Sequence, residues 1–205
     1  FDLPLAGATT AGATTKLDGL LLSNSSGVHV IDATGKVLAT LVHHKVGKVF
    51  DDGAGGLIYT DLPDDFQYTP PTSAAQATIW HLAAGASTAK PLASSASVTN
   101  GWTALQGAGR VGGQTFVAYL ELTQGTAADG VAQVAGDLVL QDLESGAKTT
   151  VEPGAVVRRG SGDDAQSTAY IGEVSFNGDL FAVHLSRSDP GGSTDTWGLF
   201  GPGLV

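Results

Sequence analysis

Apolar and polar positions alternate over short stretches of this chain. The period is close to two, the signature of strands with one buried face. Runs at residues 20–23, 28–31 and 37–41 predict three strands, and those at 48–51 and 57–60 predict two more. Further runs fall at 78–82, 102–105 and 115–122, then at 138–143, 149–152, 169–174, 180–185 and 196–200. Gly, Asp and Asn, the residues that tight turns demand, punctuate them. Residues 73–84 are alanine-rich behind Ser73 and also fit a short helix. Internal repetition decides for a strand.

The same pattern occurs three times: a strand, two small or polar residues, a glycine, then another strand. The copies are His29-Val30-Ile31-Asp32-Ala33-Thr34-Gly35, Ile79-Trp80-His81-Leu82-Ala83-Ala84-Gly85 and Leu140-Gln141-Asp142-Leu143-Glu144-Ser145-Gly146. A fourth begins at Thr196-Trp197-Gly198-Leu199-Phe200. Between them recurs a second unit, a strand, a glycine turn and a strongly apolar strand, over residues 49–59, 105–119 and 170–184. The combined period, roughly 50 to 60 residues, belongs to β-propeller blades. A four-stranded sheet with two apolar faces cannot bury both alone, and stacking blades does so.

Asp142-Leu143-Glu144-Ser145-Gly146-Ala147-Lys148, followed by Phe176-Asn177-Gly178-Asp179-Leu180-Phe181-Ala182-Val183, resembles the blade pattern of TolB-like and peptidase-associated propellers. Phe176-Asn177-Gly178 stands where that pattern has a Ser-Pro-Asp-Gly turn. The resemblance implies an all-β, propeller-like fold of about three and a half to four four-stranded blades. It implies no activity. The expected blades are 20–60, 78–122 and 138–185, with a partial one at 195–200, in a single domain over 1–205. Either the chain is the first part of a larger propeller, which is the favoured expectation, or residues 1–5 supply the missing outer strand of a four-bladed ring.

The formal net charge of −10 argues against nucleic-acid binding and against an anionic membrane surface. Cysteine is absent, which excludes disulfides and thiol chemistry. Methionine is absent too, even at position 1, which points to a processed or trimmed N-terminus. No apolar run approaches the ~18 residues of a membrane-spanning helix. With Ser/Thr/Gly/Ala-rich loops, these features lead us to expect a secreted or otherwise extracytoplasmic protein. Asn24-Ser25-Ser26 is a glycosylation sequon.

Motifs for chemistry fare poorly. Gly107-Ala108-Gly109-Arg110-Val111-Gly112 matches a dinucleotide fingerprint, but a strand follows it where the chemistry needs a helix. We expect a loop between two strands there, and no cofactor. Asp51-Asp52-Gly53 and the acids Asp163 and Asp164 lack the alternating spacing of a calcium loop, and no metal site is expected. His43-His44 would diverge on a strand, and His29, His81 and His184 read as half-buried structural residues. No nucleophile elbow is present. Trp80, Trp102 and Trp197 are core candidates, with Trp80 and Trp197 at similar repeat positions that suggest packing between blades.

Loop lengths carry more. In an up-and-down blade, the first-to-second and third-to-fourth connections share one end, and the remaining connections share the other. The first set is short. The second is long, at 61–76, 93–101, 123–136, 153–166 and 187–194. The candidate binding residues on that end are Asp64, Asp65, Phe66, Tyr68, Arg158, Arg159, Asp163 and Asp164. The expected function is a non-catalytic binding or protein-interaction module with a protein or carbohydrate ligand. The alternative is the propeller part of a peptidase- or lyase-type enzyme whose catalytic residues lie elsewhere. Self-association, or further blades completing the ring, is expected at the open ends.

Overall fold

The computed structural model describes residues 9–14, 19–61, 77–95, 105–126, 128–160 and 166–201. Among these the protein is all-β, with fifteen strands in three antiparallel sheets. The first sheet runs in order β1 (Thr9–Thr14), β2 (Gly19–Asn24), β3 (Gly27–Ile31), β4 (Val37–Val42). The second runs β5 (Val46–Asp51), β6 (Leu57–Asp61), β7 (Ala77–Leu82), β8 (Lys90–Ser95). The third has seven strands: β9 (Leu105–Val111), β10 (Gln114–Thr126), β11 (Ala132–Asp142), β12 (Lys148–Arg159), β13 (Gln166–Phe176), β14 (Phe181–Asp189) and β15 (Gly192–Phe200). Every strand pairs with its sequence neighbour inside its sheet, so each sheet is a simple meander.

The alternation read from the sequence has a direct physical use here. Successive side chains on a strand point to opposite faces, and β6 carries apolar residues on both. Leu57 and Tyr59 join Leu21, Val28, Val30 and Val42 of the first sheet. Ile58, between them, joins Leu105, Val117, Tyr119 and Val139 on the third sheet. β10 repeats the device. Val117 and Tyr119 face back to Ile58 and Ile79, whereas Phe116, Ala118 and Leu120 face forward to Phe181, Val183 and Leu185 of β14. Three apolar layers therefore separate four consecutive groups of strands, β1–β4, β5–β8, β9–β12 and β13–β15. The first strand of each group lies against the first strand of the next: β1 on β5, β5 on β9, and β9 on β13.

The β9–β13 contact is close and parallel. Val111 and Gly178 form a parallel bridge. Gly112 N–H donates to the Gly178 carbonyl at 2.8 Å, and Gly178 N–H to the Arg110 carbonyl at 3.1 Å. Glycines make this approach possible. A Cβ on Gly109 would stand 2.5 Å from Cβ of Phe176, and one on Gly107 would stand 2.9 Å from Cγ1 of Val174. The fingerprint-like segment is thus the strand β9, with alternating burial, and not the expected loop. Its glycines make room for a neighbouring strand.

Other expectations are corrected. Residues 9–14 form a first strand, at the edge of its sheet, that the sequence reading lacked, because Thr-Thr-Ala-Gly-Ala-Thr offers no large apolar side chain. Three of the expected long loops are largely ladder. β10 and β11 pair out to Thr126 and Ala132, β12 runs on to Arg159, and β14 and β15 pair out to Asp189 and Gly192. Val157–Arg159 then pairs with Gln166–Ala169, fusing the last two groups into one seven-stranded sheet. Trp80 packs on the layer facing the first sheet, but Trp197 is 56% exposed on the opposite side of its own sheet. A one-residue offset between the two repeats suffices, since it flips a side chain to the other face.

Candidate functional site

The two ends of the sheets are built differently. One end carries the first-to-second and third-to-fourth turns, and four of the described ones, β3–β4, β5–β6, β11–β12 and β13–β14, are anchored by an Asp or Asn. Asp32 accepts hydrogen bonds from the Thr34 and Lys36 N–H groups at 2.8 and 3.0 Å. Asp142 accepts from the Glu144 N–H at 2.8 Å and the Ser145 hydroxyl at 2.7 Å. Asn177 accepts from the Asp179 and Leu180 N–H groups at 3.1 and 2.7 Å. Carboxylates and amides used in this way mimic backbone acceptors and hold the turn rigid.

Asp52 is the most deeply placed of these anchors. Its Oδ1 accepts from the Ala54 and Gly56 N–H groups at 2.7 and 2.8 Å, and its Oδ2 lies 3.0 Å from Nε2 of His81 on β7. Burial alone pushes this carboxyl up. The bonds from His81, Ala54 and Gly56 outweigh burial and hold it below the usual carboxylate value. The neighbouring Asp51 shifts the other way, raised chiefly by burial and also by the Asp52 charge, despite one bond from the Gly53 N–H. The Asp52–His81 pair ties the β5–β6 turn to β7. In the following group, Gln114 and Asp142 meet at 3.4 Å, and Leu143 N–H donates to the Thr115 carbonyl at 2.9 Å. This end is a rigid rim.

The opposite end carries charge pairs. Arg159, at the end of β12, bonds Asp129 in the β10–β11 turn. That bond, followed by one from the Val131 N–H, lowers the Asp129 carboxyl. His44, in the β4–β5 connection, lies 2.9 Å from Asp61 at the end of β6, and its ring meets Tyr59 edge-on at 6.4 Å. Arg187 of β14 bonds Glu152 of β12. The β2–β3 turn belongs to this end too. There Asn24 Oδ1 accepts from the Ser26 N–H and hydroxyl at 2.8 and 2.7 Å, with His29 Nε2 3.3 Å away.

Of the residues proposed from sequence, Arg158 and Arg159 both sit at the end of β12, opposite Val134 and Gln133. Asp64, Asp65, Phe66, Tyr68, Asp163 and Asp164 lie outside the described residues, as does Trp102. The sequence reading missed Asp129, His44 and Asp61. The available signal was position: each stands at a strand end on the same side as Arg159. Of the acids weighed for calcium, Asp52 is committed to two backbone donors and an imidazole. Among the described residues, no helix is long and apolar enough to cross a membrane. No family model matches the chain, and neither a curated protein nor a solved structure matches it.

Proposed function

We propose that the chain is a non-catalytic binding module of β-propeller type, acting outside the cytoplasm, with a protein or carbohydrate ligand. The observation that carries this is the succession of first strands β1, β5, β9 and β13, each against the next, with an apolar layer at every junction. Radially stacked blades have that contact pattern. The blade-like repeats and their resemblance to TolB-like propellers support the same architecture. A rigid scaffold with polar pairs at one end is where binding residues concentrate. The Arg159–Asp129 and His44–Asp61 pairs mark that end here.

The test is a panel of glycans and peptides screened by calorimetry, followed by amide-exchange footprinting of any ligand found. We expect protection around residues 43–45, 128–131 and 157–159, and an affinity loss of about tenfold or more in Arg159→Glu, roughly 1.4 kcal/mol. A footprint confined to the rim at 32–36, 52–56 and 142–147 would overturn the choice of face. Turnover of any panel member by the purified chain would overturn the non-catalytic reading.

A further inference from the structure

β15 is the edge strand of the seven-stranded sheet, and it differs from the other five sheet-edge strands. The ladders that hold β1, β4, β5, β8 and β9 each contain a register shift. Such bulges twist an edge away from incoming strands, and Pro91 blunts β8 further. β9 is also covered by β13. The β14–β15 ladder instead runs without a shift from Phe181 opposite Phe200 to Asp189 opposite Gly192. β15 contains neither proline nor lysine, and Asp195 is its one charged residue. Beside this regular edge stand the two most exposed large apolar side chains among the described residues, Trp197 at 56% and Leu199 at 65%. In the complete groups the third strand is flanked by a fourth, antiparallel to it: β3 by β4, β7 by β8, β11 by β12. Among the described residues, β15 is a third strand without that neighbour.

We infer that β15 is a self-association edge, and that its occupant is β15 of a second copy of this chain. A twofold axis places the second copy antiparallel, the relation every neighbouring pair in these sheets already has. Centred on Gly198, the pairing sets Trp197 opposite the second copy's Leu199 and Thr196 opposite the second copy's Phe200. Asp195 then falls opposite the second copy's Gly201, so the two carboxylates do not face each other. This register sets each exposed apolar side chain beside one from the second copy and supplies hydrogen-bond partners to the edge. His184, stacked on Trp197 at 4.8 Å between ring centroids and 3.6 Å from Asp195, holds the indole in place from the β14 side.

The experiment is light scattering on the whole chain over a wide concentration range, with amide exchange in parallel. The expected result is a mass that rises towards twice that of the chain, with β15 amides exchanging more slowly as concentration rises. Leu199→Lys and Trp197→Lys, both on an exposed row, should restore the monomer mass without altering the circular dichroism spectrum. Leu38→Lys, on the outer strand of the first sheet, should leave the dimer intact. A monomer mass at every concentration overturns the proposal. So does a dimer that survives both β15 variants but dissociates in Leu38→Lys. A wild type that stays monomeric and dimerises only after deletion of residues 1–5 overturns it too, and assigns the edge to that segment.

Discussion

The approach of β9 to β13 offers a sharp test, because two general effects oppose each other there. Replacing glycine by alanine in a strand ordinarily stabilises by about 0.4–1 kcal/mol, because the unfolded chain loses freedom. At Gly109 the added Cβ would stand 2.5 Å from Cβ and 2.7 Å from Cγ of Phe176. Those atoms lie at the root of the side chain, so rotation about its outer bonds cannot relieve the clash. Forcing such an atom into a packed layer costs about 1–3 kcal/mol. Overpacking wins, and Gly109→Ala should lose about 1–2 kcal/mol net. For a chain of this size that lowers Tm by roughly 2–8 °C. Urea unfolding followed by tryptophan fluorescence would show a lower midpoint at unchanged slope. Gly201→Ala is the matched control, since its Cβ would meet only Cδ2 of Leu180, at an ordinary 3.7 Å. In a Phe176→Ala background β13 can shift, and the cost of Gly109→Ala should shrink, a coupling of about 0.5–3 kcal/mol. If Gly109→Ala unfolds at or above the wild-type midpoint, β9 and β13 do not meet as described, and the stacked arrangement fails at its best-defined junction.

Other positions separate core from surface. Phe181 is fully buried between Phe176 and Phe200, with ring centroids at 5.0 and 5.5 Å, so Phe181→Ala should cost about 3–5 kcal/mol by urea unfolding. Arg159→Ala should change stability by less than about 1 kcal/mol, because the Asp129 pair is exposed; a larger loss would give the pair a structural role. Asp51→Asn should be as stable as wild type or more so at pH 7, since the fold raises the Asp51 carboxyl and so disfavours its charge. A clear destabilisation of that variant would refute the assignment.

The turns were legible because their chemistry is local. Asp32, Asp142 and Asn177 each anchor a turn through bonds within four residues, and a glycine or small residue follows at the expected place. The apolar strands between them were legible for the same reason, since β6 and β10 carry large side chains on both faces. What escaped has no strand pattern of its own in the sequence. β1 and the outer halves of β10 and β11 are rich in Thr, Ala, Gly and Gln, and the outer half of β12 opens on Glu152-Pro153-Gly154, so in sequence they look like loops. Their ladders form because neighbouring strands already run beside them, which no local pattern announces. The candidate site was legible only as an end of the scaffold. Its pairs join residues 30 and 17 positions apart, and spacing along a chain does not reveal such contacts.

The last prediction turns on Asp52, where sequence and fold meet most tightly. Asp51-Asp52-Gly53 reads as an ordinary acidic turn, yet the fold treats the two acids in opposite ways. Asp52 is depressed, so the unfolded state binds its proton more readily than the native state does. Its contribution is therefore fully present above the ordinary carboxyl value of 3.8 and is lost as pH falls through the lower native value. Asp52→Asn keeps an oxygen acceptor for Ala54 and Gly56 but surrenders the charge that His81 and both N–H groups favour. At pH 7 the variant should be less stable by about 1.5–3 kcal/mol, the range for hydrogen bonds to a buried charge. As pH falls below about 4 the gap should narrow, because the unfolded wild type then takes up the proton more readily than the folded one does. Urea midpoints measured from pH 7 down to about 3 decide the matter. A gap that stays constant over that range would mean that Asp52 acts by shape alone, and that its charge contributes nothing to joining the β5–β6 turn to β7.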